Sequence, residues 1–214
     1  MNDVKKGKNS SYFFYDFVKV TAALPGLIWF RPKILFSSEK ARERIRGGAL
    51  LIANHIGFFD PLYLMIAVWY RRQHFVCLKQ FFESSWGWFF RAVHCITIDR
   101  ENEGLDSVRE IIRHLKNGDL VSMFPEGQIN KADGELAGFK SGMVLMAAQS
   151  GKPVIPVYIR PKRRRLERLV MMIGEPVDVK EIAAGSGMTG IENAAKLLRQ
   201  REEELKESIG RTVE

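Results

Sequence analysis

Cysteine is nearly absent: Cys77 and Cys95 are the only two in 214 residues. Two thiols do not make a disulfide scaffold, and their scarcity fits a reducing compartment. Long apolar runs are also missing. The longest stretch free of Asp, Glu, Lys and Arg is residues 47–59, 13 positions, and it contains Asn54 and His55. A spanning helix needs about 18 or more apolar residues in a row, so simple transmembrane insertion is not expected. The sequence has no internal repeat and no low-complexity tract. Gly185-Ser186-Gly187 is the best loop candidate, too short to divide domains. Acidic residues number 25 against 33 basic ones, a formal net charge of +8. A surface that basic favours a phosphate-rich partner: nucleic acid, an anionic membrane or a phosphorylated small molecule. With 46% hydrophobic residues the chain has material for a core and is not a disordered tail.

Aromatic residues are scarce after position 90: of 23, the first 90 positions hold 20. That asymmetry reads either as an aromatic-rich sub-core or as a surface that meets lipid or an acyl chain. Residues 12–24 read as a helix. Phe13, Phe17, Val20 and Leu24 share one face, widened by Phe14 and Val18, while Asp16 and Lys19 fall together on the narrow opposite face. This is the pattern of an interfacial helix, flanked by cations at Lys5, Lys6, Lys8, Arg31 and Lys33 that suit an anionic membrane surface. Docking onto its own domain is the alternative, and the two are compatible. Pro25-Gly26 is expected to break the helix before the apolar residues 27–30. The charged start and apolar stretch resemble a signal peptide, but Asp16 and Lys19 interrupt it and no clean small-residue cleavage pattern follows.

From residue 33 onward short apolar runs alternate with helical segments. Strands are expected at 33–36, 49–53, 74–78, 95–98, 120–124, 154–159 and 169–173, and helices at 61–70, 85–93, 104–116, 140–149 and 191–209. That alternation argues for an α/β fold: a mixed, largely parallel sheet flanked by helices. In the last helix Ala195, Leu198, Leu205 and Ile209 form a packing stripe.

Three strand ends carry candidate chemistry. The strand at 49–53 runs into Asn54-His55-Ile56-Gly57-Phe58-Phe59-Asp60-Pro61. His55 lies where α/β sheets gather ligands, Gly57 permits a tight loop, and Asp60 is near enough to orient the imidazole so that its other nitrogen accepts a proton. Asp60-Pro61 is equally a helix cap with Pro at the first position, and His55 a solvated loop residue. At Phe124-Pro125-Glu126-Gly127, Glu126 would accept hydrogen bonds from substrate hydroxyls, or the segment is a surface turn with an exposed Glu. At Ile98-Asp99-Arg100, Arg100 suits phosphate, or makes a surface ion pair. His74, Cys77, His94 and Cys95 lack paired metal-ligand spacing, so no metal site is expected. The basic run Arg160-Pro161-Lys162-Arg163-Arg164-Arg165 is a solvated loop or a binder of headgroups, coenzyme A phosphates or nucleic acid. His114, in a charged helix, is expected to be exposed.

Taken together these segments resemble the glycerolipid acyltransferases. His55 and Asp60, four residues between them, resemble the family's first signature. Ile98-Asp99-Arg100 resembles the second, Phe124-Pro125-Glu126-Gly127 the third and Val154-Ile155-Pro156-Val157 the fourth. Lys79 matches a lysine before the second signature, and Lys140-Ser141-Gly142 the segment before the fourth. The resemblance covers about residues 12–175 and is closest to the bacterial 1-acylglycerol-3-phosphate O-acyltransferases. It implies that His55 is the general base and Asp60 its orienter. It also implies that Glu126 and Gly127 help hold the glycerol and that Lys79 and Arg100 hold its phosphate. The family continues its third signature as Gly-Thr-Arg-Ser; here the residues are Gly127-Gln128-Ile129-Asn130, with Lys131 as the substitute cation.

The resulting expectation is an acyl transfer without cofactor or metal, from acyl-CoA or an acyl carrier protein to a lysolipid. Backbone N–H groups around Gly57 are the candidate oxyanion donors. Residues 1–31 form a membrane-associated helical segment and 32–214 the acyltransferase domain, located peripherally on the cytoplasmic face of the cell membrane. The other readings are a different lysolipid acceptor, or a non-enzymatic basic protein on membrane or nucleic acid. A nucleic-acid partner is disfavoured because the aromatic residues and the 160–165 basic run lie far apart in sequence.

Overall fold

The strand β2 (Ala49–Ala53) is buried at every residue. Its run Ala-Leu-Leu-Ile-Ala does not alternate with polar residues, because helices cover both faces of the sheet. Ala49, Leu51 and Ala53 enter one core with Leu64, Val157 and Met171, whereas Leu50 and Ile52 enter another with Ile111, Met143 and Leu198. The computed structural model describes residues 12–99, 105–127, 129, 142–162, 164, 167–184 and 188–213. Around β2 lie β1 (Lys33–Phe36), β3 (Gln73–Leu78), β4 (Ile96–Ile98), β5 (Leu120–Met123), β6 (Val154–Ile159) and β7 (Val170–Ile173). The seven strands are ordered β1-β7-β6-β2-β5-β3-β4. All neighbours are parallel except β6 and β7. The sheet is therefore mixed and largely parallel, and each strand lies within a residue of its expected position. β2, β5, β3 and β4, consecutive and parallel, bring all three candidate strand ends to one edge.

The helices are α1 (Phe13–Phe30), α2 (Glu39–Arg42), α3 (Asp60–Ala67), α4 (Lys79–Glu83), α5 (Gly87–Ala92), α6 (Leu105–Lys116), α7 (Gly142–Ser150), α8 (Lys180–Ala184) and α9 (Met188–Val213). Four-residue α2 and five-residue α4 and α8 are too short to leave a periodic signal. The single helix expected at 85–93 is shorter and is preceded by α4. At Gly87 the chain doubles back so closely that an added Cβ would lie 2.0 Å from the Phe82 carbonyl oxygen. A similar approach fixes the entry to β2, where a Cβ on Gly48 would sit 1.9 Å from the Leu115 carbonyl oxygen.

Helix α1 does not break at Pro25-Gly26; Pro25 lies inside it. Tertiary contact outweighs the lost N–H. Gly26 lies against Ile66 of α3, and the buried Phe30 ring meets Tyr63 edge-on at 4.9 Å. Its polar side faces the body. Tyr15 Oη, buried, accepts the Gln73 N–H at 2.8 Å. Asp16 takes two hydrogen bonds from Arg72 at 2.6 and 2.9 Å, and Lys19 donates to the Arg71 carbonyl at 2.9 Å. The apolar side faces outward: Phe13 is 79% and Ile28 80% exposed, with Phe17, Val20 and Leu24 between them. At 18 residues α1 is long and apolar enough to cross a membrane by length and composition. The uncharged-run criterion missed this because it admits no charges at all.

Helix α9 packs Leu198, Leu205 and Ile209 onto the sheet, with Ala194 rather than Ala195 at the fully buried position. In the middle of that stripe stands Glu202, fully buried, with neither carboxylate oxygen hydrogen-bonded among the described residues. Burial first, and the charge of Glu126 second, push its carboxyl up to about 8. The folded state therefore keeps a proton that the unfolded chain releases near pH 4.5. Stability from this group is complete below that pH and is lost as pH rises through about 8. Glu202→Gln keeps the shape and removes the titration. The thermal midpoint of the wild type is expected to fall relative to the variant between pH 5 and 8, measured by parallel melts; parallel curves would refute a buried neutral acid.

Candidate active site

The first signature occupies the loop from β2 to α3. Asn54 secures its start: its side-chain amide donates to the Ile159 carbonyl at 2.9 Å and accepts the Ile159 N–H at 2.7 Å. A side chain thus extends the β2–β6 ladder by one rung. His55 follows, half-buried, with its ring stacked on Phe124 at 4.3 Å between centroids. Asp60 is fully buried. Its Oδ2 lies 2.7 Å from His55 Nδ1 and accepts the Ile56 and Gly57 N–H groups at 2.7 and 2.8 Å. The carboxylate turns back into the loop instead of capping α3, which has no side-chain cap bond. With Nδ1–H donating to Asp60, His55 is left with a basic Nε2.

Two expectations about this loop are corrected. The Ile56 and Gly57 N–H groups serve Asp60, so they are not available to an oxyanion. Nor does Gly57 use glycine's conformational freedom: it is not among the positive-φ residues, and an added Cβ would meet nothing nearer than Asp60 Oδ1 at 4.0 Å. Gly127 does use it, at φ +71, where its N–H closes a turn onto the Phe124 carbonyl at 3.0 Å.

His55 opens onto a cavity of about 610 Å³. Its walls are mostly apolar, among them Phe75, Leu78, Phe90, Met123 and Met146. Pro125 and Gly127 line it, as does Ile129, the residue that stands where the family has arginine. Glu126 is buried and is not the exposed turn residue of the alternative reading. It lies close enough to Glu202 and Tyr158 for its charge to act on both. Burial and those carboxylates push the Tyr158 hydroxyl up to about 12.

Lys79, at the end of β3, donates to Asp99 at 3.1 Å beyond the end of β4. Hydrogen bonding and charge from Asp99, with help from Glu83, hold its ammonium above the ordinary lysine range. Asp99 lines the cavity. Arg100, Gln128, Asn130, Lys131, Lys140 and Ser141 lie outside the described residues. His55, Asp60, Lys79, Glu126 and Gly127 all belong to the carboxyl edge of consecutive parallel strands.

Other candidates land elsewhere. The set His74, Cys77, His94 and Cys95 does not assemble among the described residues, because alternation along β3 sends His74 and Cys77 to opposite faces. Cys77 and Cys95 are free thiols that hydrogen-bond to each other instead, which together with burial pushes the Cys95 thiol up. His114 is half-buried, not exposed, and its Nδ1 lies 2.8 Å from Asp119 Oδ2. Sequence reading overlooked that His114 and Asp119 repeat the His-x₄-Asp spacing. The spacing therefore occurs twice, and what sets the His55 pair apart is the apolar cavity beside it. Glu202 was also overlooked, although a carboxylate between Leu198 and Leu205 on an apolar stripe was a visible signal.

Arg160 of the basic run pairs with Glu167 at 2.6 Å. Lys162 lies 4.6 Å above the Phe30 ring. Lys162 thus joins the aromatic region in space, while Arg163 and Arg165 lie outside the described residues; separation in sequence by itself does not count against nucleic acid.

Comparison with known proteins agrees with this arrangement. A 1-acyl-sn-glycerol-3-phosphate acyltransferase of Bacillus subtilis is 27% identical over 168 residues, covering 76% of this chain and 83% of that protein. One from Streptococcus pneumoniae is 29% identical over 165 residues, covering 74% of this chain and 60%, under two thirds, of its own length. The crystal structure of the 1-acyl-sn-glycerophosphate acyltransferase PlsC from Thermotoga maritima shares the fold, with a TM-score of 0.63 at 21% identity over 94% of this chain and 83% of that one. The family model described as Acyltransferase matches residues 33–160. That span runs from β1 through β6 and takes in the loops that carry His55, Asp60, Lys79, Glu126 and Gly127, and the chain belongs to the Acyltransferase family.

Proposed function

We propose that this protein transfers a fatty acyl group from an acyl thioester to the free hydroxyl of a lysoglycerolipid, with 1-acylglycerol 3-phosphate as the acceptor, in phospholipid synthesis. The observation that carries the reading is the His55–Asp60 pair at the mouth of a mostly apolar cavity of about 610 Å³. His55 Nε2 takes the hydroxyl proton as the acceptor oxygen attacks the thioester carbonyl carbon. The tetrahedral intermediate collapses, the C–S bond breaks, and the imidazolium returns its proton to the leaving thiolate. Ester and free thiol are the products, and no acyl-enzyme forms. Asp60 fixes the tautomer and stabilises the imidazolium. The donor is acyl-CoA or an acylated carrier protein, which present the same thioester. Both named relatives act, by their names, on the phosphorylated acceptor. Lys79 and Arg100 hold its phosphate, since Ile129 offers no charge where the family has arginine.

The outward apolar face of α1 supports a peripheral position on the membrane, on the cytoplasmic face where thioester donors occur. Phe59 beside Phe30, and Trp88 beside Phe14, extend that face at both ends, and Phe58 is 82% exposed. A contiguous exposed apolar patch of this kind marks a contact surface. Spanning would pull Tyr15, Asp16 and Phe30 off the body, so α1 lies along the interface.

Three measurements check this proposal. Purified protein given acyl thioester and a panel of lysolipids should form the diacyl product. His55→Ala should lower kcat about 10²–10⁴-fold, and Asp60→Asn at least about 10²-fold, with folding intact. A His55→Ala protein with near-normal kcat would overturn the mechanism. Lys79→Ala and Arg100→Ala should each raise KM for a phosphorylated acceptor about tenfold and leave the donor's KM unchanged, because a charge-assisted bond is lost. Equal turnover of phosphate-free acceptors, insensitive to both changes, would reject a phosphorylated substrate. Replacing Phe13, Phe17 and Ile28 together by Gln should release the protein from anionic vesicles without shifting its melting point. High salt should release the wild type only in part. Undiminished vesicle binding by the triple variant would return α1 to a purely structural role.

A further inference from the structure

At the opposite edge of the sheet from His55, three polar side chains converge that the acyl transfer does not use. We infer that His74, His114 and Asp119 bind one divalent transition-metal ion of the zinc type. One donor atom from each lies within 4.8 Å of the other two. They come from the start of β3, the end of α6 and the turn into β5. Pairing of Gln73 with Leu120 brings the start of β3 alongside the turn that carries Asp119, and the short link from α6 into β5 brings His114 to the same place. The two imidazoles lie 4.5 Å apart between centroids.

Their orientation is what distinguishes this group from a chance cluster. His74 Nδ1 donates to the His94 carbonyl at 3.0 Å, and His114 Nδ1 lies 2.8 Å from Asp119 Oδ2. Metal-ligating histidines commonly have one ring nitrogen held by a carbonyl or carboxylate, which leaves the lone pair of the other for the ion. His74 is held in this way by the His94 carbonyl, while His114 Nδ1 and Asp119 Oδ2, already 2.8 Å apart, would face the ion as its second and third ligands. His74 is buried. His114 and Asp119 are partly exposed, so an ion has a path in and water can complete the coordination. Two imidazoles and a carboxylate suit zinc, cobalt or nickel, whereas calcium and magnesium take oxygen sets. The donors are spread over residues 74 to 119, so no sequence spacing reveals them.

The bound ion would fasten β3, α6 and β5 together beneath the start of α1, where Tyr12 stacks on His94 at 4.3 Å. The test uses the full-length, untagged protein, stripped with chelator and titrated with Zn²⁺ or Co²⁺ alone. One Co²⁺ per chain should bind with visible absorption of low-symmetry coordination. Zn²⁺ at about 100 times its Kd should raise the melting point by roughly 5–10 °C, reversed by chelator. His114→Ala should weaken Zn²⁺ binding at least about tenfold, while His55→Ala leaves it unchanged. Asp119→Asn supplies the same readout if His114→Ala fails to fold. Absence of saturable binding, or binding that survives His114→Ala and Asp119→Asn, would overturn the site and leave these residues as a hydrogen-bond network.

Discussion

One oxygen atom, Oδ2 of Asp60, accepts hydrogen bonds from the Ile56 and Gly57 backbone and from the His55 ring. An ionised carboxylate without water is costly, and three donors offset that cost. The same contacts bend the loop, so the shape of the loop and the tautomer of His55 have a single cause. Asn54 and Phe124 add the remaining constraints: the first fixes where β2 stops, and the second limits rotation of the imidazole. Much of what makes the site distinct follows from that buried acid.

The acid also separates two arrangements that look alike on paper. His114 and Asp119 have the same spacing and a contact of 2.8 Å, but Asp119 stays partly exposed and its histidine faces another imidazole. His55 faces an apolar cavity. Burial of the carboxylate and the nature of the opposite wall therefore distinguish two pairs that the spacing leaves alike.

The strands were legible because burial on both faces writes them as uninterrupted apolar runs, as in β2. Helix ends were less so. α1 continues through Pro25 because Gly26 and Phe30 pack on α3, a tertiary contact that local propensity does not contain. The docked alternative holds for α1, and because docking uses its polar side it leaves the apolar side open for the interfacial role proposed above. Among site residues, His55, Asp60, Lys79, Glu126 and Gly127 were visible as strand ends, but where each carboxylate turns was not. Glu126 turns inward toward Glu202, a partner 76 positions away that lies beyond the family-matched span. His74 joins His114 and Asp119 for the same reason: strand register, not sequence distance, makes it their neighbour.

The one antiparallel step, between β6 and β7, reverses the direction of β1 relative to the central strands. The amino end of β1 is thereby placed at the edge where His55 stands, and α1, which leads into β1, must finish there. Its Phe30 does so, against Phe59 in the His55 loop, while Tyr12 begins at the far edge beside His74. Over roughly 27 Å, 18 residues at 1.5 Å each, α1 thus runs from pole to pole of the sheet. An amphiphile resting on its outer face would have a rail that leads toward His55, so its search for that side chain is reduced from a volume to a line.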